Sequence, residues 1–179
     1  MHALRAHGRV CNALVLKALC VWNIMPIASN KIVFANSAIA AADSAEILFL
    51  TSDATRQGSQ PLMVKTFLGS TILGSFGLEL LLKSIHVFQS EENRFPSGHN
   101  LEELFNKLPT QLKVRIQDEF SQSTSCKLES FLTGHARSFE EWRYFAERTE
   151  GTISFDMKGV RTLTSILKNI VNESANENT

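Results

Sequence analysis

Residues 61–88 constrain this chain most. Phe67, Leu68, Ile72, Leu73, Phe76, Leu80, Leu81 and Phe88 recur at helical spacing and cover most of a helix's circumference. A helix that is apolar nearly all round belongs at the centre of its domain, because each face needs other elements to cover it. Pro61 falls in the first turn, where its missing N–H is tolerated. The polar residues concentrate on one stripe, Ser75, Glu79, Lys83 and His86. Glu79 precedes Lys83 by one helical turn, the favourable order for an ion pair.

The remaining segments also read as helices. Asn12 to Ile24 reads as a first one. Asn30 can cap a second from about Lys31 to Leu50, in which Ile32, Val33, Ala35, Ile39, Ala42, Ala45 and Leu48 keep helical spacing. Its alanines favour helix and permit close helix contact. Thr51 to Gln60 has the composition of a loop, as does the Pro- and Gly-containing stretch from Ser90 to Gly98. Asn100 with Glu103 forms a capping box. It opens a short helix that buries Leu101, Leu104, Phe105 and Leu108 and is stopped by Pro109. Thr110 to Phe120 carries Leu112, Ile116 and Phe120 on one face. Ser121 to Ser125 is a break, and Lys127 to Leu132 gives another turn or two. Ser138 with Glu141 suggests a second capping box, opening a helix with Phe139, Trp142, Arg143, Tyr144 and Glu147. Asp156 can cap a terminal helix whose stripe is Val160, Leu163, Ile166, Leu167, Ile170 and Val171.

Alternating strand patterns do not persist, and residues 151–155 are the one weak candidate. The expectation is an all-α, up-and-down bundle of about six helices. Residues 1–30 form an N-terminal helical extension, 31–171 the bundle and 172–179 a disordered polar tail.

Composition narrows the function classes. The 179 residues carry 18 basic and 18 acidic side chains, a formal charge of zero. That argues against a basic, sequence-blind nucleic-acid coat and restricts any nucleic-acid contact to a local patch. Cys11, Cys20 and Cys126 are too few and too far apart for a disulfide framework or a zinc ribbon, so reduced thiols and a cytoplasmic location are expected. Arg5 and Arg9 precede an apolar stretch from Val10 to Ala28, an arrangement akin to a signal peptide. Lys17, Asn12, Asn23 and Pro26 interrupt it. A packing helix is the preferred reading and export the alternative. The stretch is too poor for a bilayer crossing, and no membrane span is expected.

Walker, GxGxxG, HExxH, EF-hand and GxSxG signatures are missing. No His, Asp or Glu pair has convincing ligand spacing, so neither a metal nor a cofactor is expected. His2, His7 and His135 lack partners at such spacing, and His135 is expected to be exposed near a turn.

The best constellation is Glu79, Lys83, His86 and His99. Helices joined by a loop of about ten residues pack antiparallel or nearly so, which brings His99 near one end of the polar stripe. A histidine there can serve as a general acid or base near neutral pH. The competing reading is structural: Glu79 and Lys83 hold helices in register and His99 caps its helix, as buried ion pairs commonly do. Arg143 can grip a phosphate bidentately, or pair with Glu147 or Glu79. Trp142 and Phe139 share the apolar face and read as core anchors.

The stretch from Phe76 to Leu108 resembles the HEPN family of helical domains. The residues that carry the resemblance are Leu78-Glu79-Leu80-Leu81-Leu82-Lys83, an E-x-x-x-K helix core, followed after a loop by Gly98-His99-Asn100-Leu101-Glu102-Glu103-Leu104. Phe139 to Glu147 also looks like the fourth-helix region of bacterial members. The resemblance implies a helical bundle that often forms homodimers and acts in RNA metabolism, toxin–antitoxin pairs or antiviral defence. Active members cleave RNA without metal through an R-x4-6-H motif on a late helix. Here the one such string, Arg94 to His99, crosses Pro96 and Gly98 in a loop. No histidine follows Arg137, Arg143, Arg148 or Arg161. The implied function is therefore a binding module for a nucleotide, an RNA or a partner protein, through Glu79, Lys83, His99 and Arg143. The alternatives are a ribonuclease toxin with His99 as acid–base and Arg143 stabilising phosphate charge, and a purely structural scaffold.

Overall fold

A computed structural model describes residues 27–55, 60–90, 95–143 and 155–177. The described residues form seven helices and no strand: α1 (Ile27–Thr55), α2 (Gln60–Gln89), α3 (Leu101–Asn106), α4 (Thr110–Ser123), α5 (Leu128–Gly134), α6 (Ser138–Arg143) and α7 (Met157–Glu177). Two of these, α3 and α5, are only six and seven residues long. The expected all-α bundle of about six helices is the observed architecture. The first predicted helix, Asn12–Ile24, and most of the weak strand candidate at 151–155 lie outside the described residues.

As its apolar circumference requires, α2 is the central helix. It packs against α1, α7, α6 and α3, and Leu78, Leu81, Leu82 and Ile85 are fully buried. The α1 helix lies antiparallel to it: Phe49 of α1 meets Gly74 of α2, and Ala42 meets Gly77. Ala35, Ala38, Ala42 and Ala45 form the buried face of α1. A methyl group built on Gly77 would lie 3.2 Å from the Ala42 backbone. Small residues on both helices thus bring the two axes closer than Leu-lined faces allow.

The boundaries differ from the sequence reading at several points: α1 already includes Ile27 to Asn30, so Asn30 lies inside the helix and does not cap it, and α4 runs to Ser123, into the expected break at Ser121 to Ser125. Helix α1 runs on to Thr55 rather than ending near Leu50. Neither proline nor glycine interrupts residues 27–55, so nothing stops it. The Thr-Ser-Asp run lies within the helix rather than in a loop. The tail expected to be disordered from residue 172 instead continues α7 to Glu177. Ser174 is buried there, and Glu173 accepts from both terminal guanidinium nitrogens, Nη1 and Nη2, of Arg115 from α4, at 2.6 and 2.8 Å. The tertiary contact supplies what the polar sequence lacks.

By length and composition alone, Lys31–Thr51 and Thr66–Gln89 could each cross a membrane, contrary to the expectation of no span. Within the bundle 61% of the second stretch is buried, together with Ser70, Thr71, Ser75, Glu79 and Ser84.

Helix α3 is too short to be stable alone, and hydrogen bonds beyond its own turns hold both its ends. At its N-terminus the Asn100 Oδ1 accepts the Glu103 N–H at 3.1 Å, and the Leu101 N–H donates to the Ala136 carbonyl at 2.9 Å. Near its C-terminus the Leu104 carbonyl accepts from His86 Nε2 at 2.7 Å. His86 therefore ties α2 to α3.

Candidate functional site

Glu79 sits in the middle of α2 with only 2% of its side chain exposed. A carboxylate in that position requires charged or hydrogen-bonding partners. Lys83, one turn on, donates its Nζ to Glu79 Oε1 at 2.8 Å. The second partner comes from the loop before α3. His99 Nδ1 lies 2.9 Å from Oε1 and 3.1 Å from Oε2. Because a carboxylate accepts, Nδ1 carries the proton, and in the neutral ring Nε2 holds the lone pair.

Local chemistry explains why His99 reaches α2. Gly98 adopts φ +94°, a conformation glycine tolerates and other residues rarely take. The chain turns there, and one residue later Asn100 starts α3 through its capping bond. His99 is thus fixed between a glycine turn and an anchored helix. Its ring lies 6.4 Å from that of Phe139 on α6, and Phe139 lies 4.9 Å from Phe76 on α2. The His99 side chain is half exposed, and its Nε2 has no partner among the described residues.

Three of the four expected residues therefore come together: Glu79, Lys83 and His99. His86, though on the same stripe, does not join them; its ring is committed to Leu104. Arg143 is the last described residue of α6, one turn beyond Phe139, and its side chain lies outside the described residues. Trp142 is buried and edge-on to Phe67 and Phe155, as a core anchor would be. Ser75, one turn before Glu79, is buried, and its hydroxyl has no partner among the described residues.

His135 overturns the expectation of an exposed turn residue. It is buried, with Nδ1 3.1 Å from the Phe131 carbonyl and Nε2 accepting the Asp156 N–H at 3.1 Å. Burial holds its pKa below the ordinary value of 6.5; the Phe131 carbonyl and the charges of Asp156 and Glu141 pull the other way and do not prevail.

A groove of about 700 Å³ between α1 and α7 was not anticipated. Arg161 grips Glu46 through Nε and Nη2, and Lys168 pairs with Asp43. These cations already have carboxylate partners, so the groove walls brace one helix against the other. None of its lining residues belongs to the Glu79 cluster, which is the better candidate for chemistry. Among the described residues no three His, Cys, Asp or Glu side chains group closely enough to hold a metal ion.

Comparison with known proteins finds no matching family model, no matching curated protein and no matching solved structure.

Proposed function

We propose that this chain is a HEPN-like binding module that takes a phosphate-bearing ligand, a nucleotide or an RNA, at His99. The observation that carries this reading is the bond between the half-exposed His99 and the buried Glu79. A carboxylate behind Nδ1 fixes the tautomer and the ring's orientation, with Nε2 turned outward. When the ring is protonated, the outer nitrogen donates to an anionic oxygen. Lys83 balances the carboxylate's charge, and Arg143 is assigned the role of a second cation. The zero net charge of the chain suits a contact confined to one patch. The HEPN resemblance adds a homodimer, and the sparse cysteines a cytoplasmic setting.

The same geometry favours one second reading. An imidazole oriented by a carboxylate is the arrangement of a general acid–base, which fits metal-independent RNA cleavage with His99 moving the proton.

Titration of a fluorescent single-stranded RNA, with ATP as competitor and chelator present, tests both. The binding reading expects His99→Ala to weaken binding at least about tenfold, a loss of one charge-assisted hydrogen bond, with the RNA left intact. Cleavage by wild type that His99→Ala abolishes establishes the second reading instead. Equal affinity of wild type and folded His99→Ala, with the RNA left intact by both, overturns both readings and leaves the scaffold.

A further inference from the structure

His135 occupies the turn between α5 and α6, and both of its ring nitrogens are in use. Nδ1 faces a carbonyl, which accepts, so Nδ1 carries a proton. Nε2 faces the Asp156 N–H, which donates, so Nε2 must present a lone pair. Only the neutral ring with its proton on Nδ1 satisfies both. The imidazole stacks on Phe131, with ring centroids 4.4 Å apart and planes at 16°, and meets Phe155 edge-on at 5.7 Å.

What the ring holds is the start of α7. Asp156, bonded to Nε2 through its backbone, caps α7 by accepting the Gly159 N–H on Oδ1 at 2.9 Å. Phe155 packs against Phe49 of α1, Phe67 of α2 and Trp142 of α6. One hydrogen bond therefore joins the α5–α6 turn to the residue that both caps α7 and leads out of this aromatic cluster.

We infer that His135 is an acid-sensitive latch, whose protonation at Nε2 releases Phe155, Asp156 and the first turn of α7 from the α5–α6 turn. A proton on Nε2 sets two donors against each other in a buried site, and an unmet buried donor is costly. The charged groups that face the ring are Asp156, at the head of α7, and Glu141, on α6. Both favour the imidazolium, and burial outweighs them. The sign follows. The unfolded ring titrates near 6.5 and the folded ring lower, so the unfolded state binds more protons in the interval between the two values. Stability from this site is complete above 6.5 and declines as pH falls below it. The decline levels off once the folded ring is itself protonated.

The test uses the full chain and two measurements. Ring ¹⁵N NMR is expected to show His135 protonated on Nδ1 alone at neutral pH. Amide hydrogen exchange at Asp156, Gly159 and Val160 is expected to lose at least about tenfold protection, relative to Leu167 and Ile170, between about pH 7 and pH 5. His135→Gln keeps an acceptor near the Nε2 position and cannot titrate, so it is expected to abolish that pH dependence. An unchanged dependence in His135→Gln overturns the latch, and so does a neutral-pH ring with its proton on Nε2. If His135→Gln does not fold, the wild-type ring decides: protonation of His135 without loss of protection at the start of α7 overturns the proposal equally.

Discussion

Glu79 and His99 are twenty residues apart in the chain and 2.9 Å apart in the fold, joined across the gap between the central helix and the loop that starts α3. The pair depends on three separate local facts: an apolar helix that buries Glu79, a glycine turn at Gly98, and a capped α3 that fixes the residue before its cap.

The two ends of the Glu79–Lys83 pair are unequal, and substitution is expected to expose this. Glu79→Ala leaves Lys83, itself largely buried, without a counter-charge and frees His99. Removing one member of such a pair costs about 3–5 kcal/mol, and partial access of Lys83 to water puts the loss at the lower end. Lys83→Met keeps Glu79 bonded to His99 and adds apolar contact. Urea denaturation should show Lys83→Met well below Glu79→Ala in cost.

Gly159 is expected to tolerate no side chain. A methyl group there would lie 2.6 Å from both Asp156 Oδ2 and Phe131 Cε2, and Phe131 is buried with no room to retreat. Gly159→Ala should lower stability by about 1–3 kcal/mol, the usual cost of overpacking. Gly134, at the end of α5, has nothing within 4 Å of the same position. Gly134→Ala should be neutral or stabilising by up to about 1 kcal/mol, since alanine restricts the unfolded chain. Thermal denaturation of the two variants checks the contrast.

The last turns of α7 should depend on Arg115. Its hydrogen bond holds the Glu173 carboxyl below the usual value of 4.5. The stabilisation is therefore present above that value and is lost as pH falls through the lower, folded one. Both groups are near the surface, so the effect is small and weakens with salt. Glu173→Ala should speed amide exchange over residues 172–177 while Leu163 to Ile170 stay protected.

Local chemistry made much of this legible beforehand. The circumference of α2, the caps Asn100 and Asp156, and the one-turn spacing of Glu79 and Lys83 all follow from residues a few positions apart. What sequence did not reveal depends on distant partners. His135 reads as polar and exposed until Phe155 and Asp156, some twenty residues later, close over it. The Glu46–Arg161 and Asp43–Lys168 pairs span more than a hundred residues each. The polar end of α7 looks frayed until Arg115 reaches Glu173. Arg143 is legible as a candidate from its chemistry alone, and its side chain lies outside the described residues.

The central claim is that Glu79 holds His99 by Nδ1 and turns Nε2 outward to a phosphate-bearing ligand. Ring ¹⁵N NMR of His99, recorded with and without a single-stranded RNA or ATP, tests it most directly. The account predicts that in the neutral ring the proton sits on Nδ1, that this preference is lost in folded Glu79→Ala, which removes the acceptor, and that ligand addition shifts Nε2. A neutral ring protonated on Nε2, or an Nε2 signal that neither RNA nor ATP moves, would contradict it.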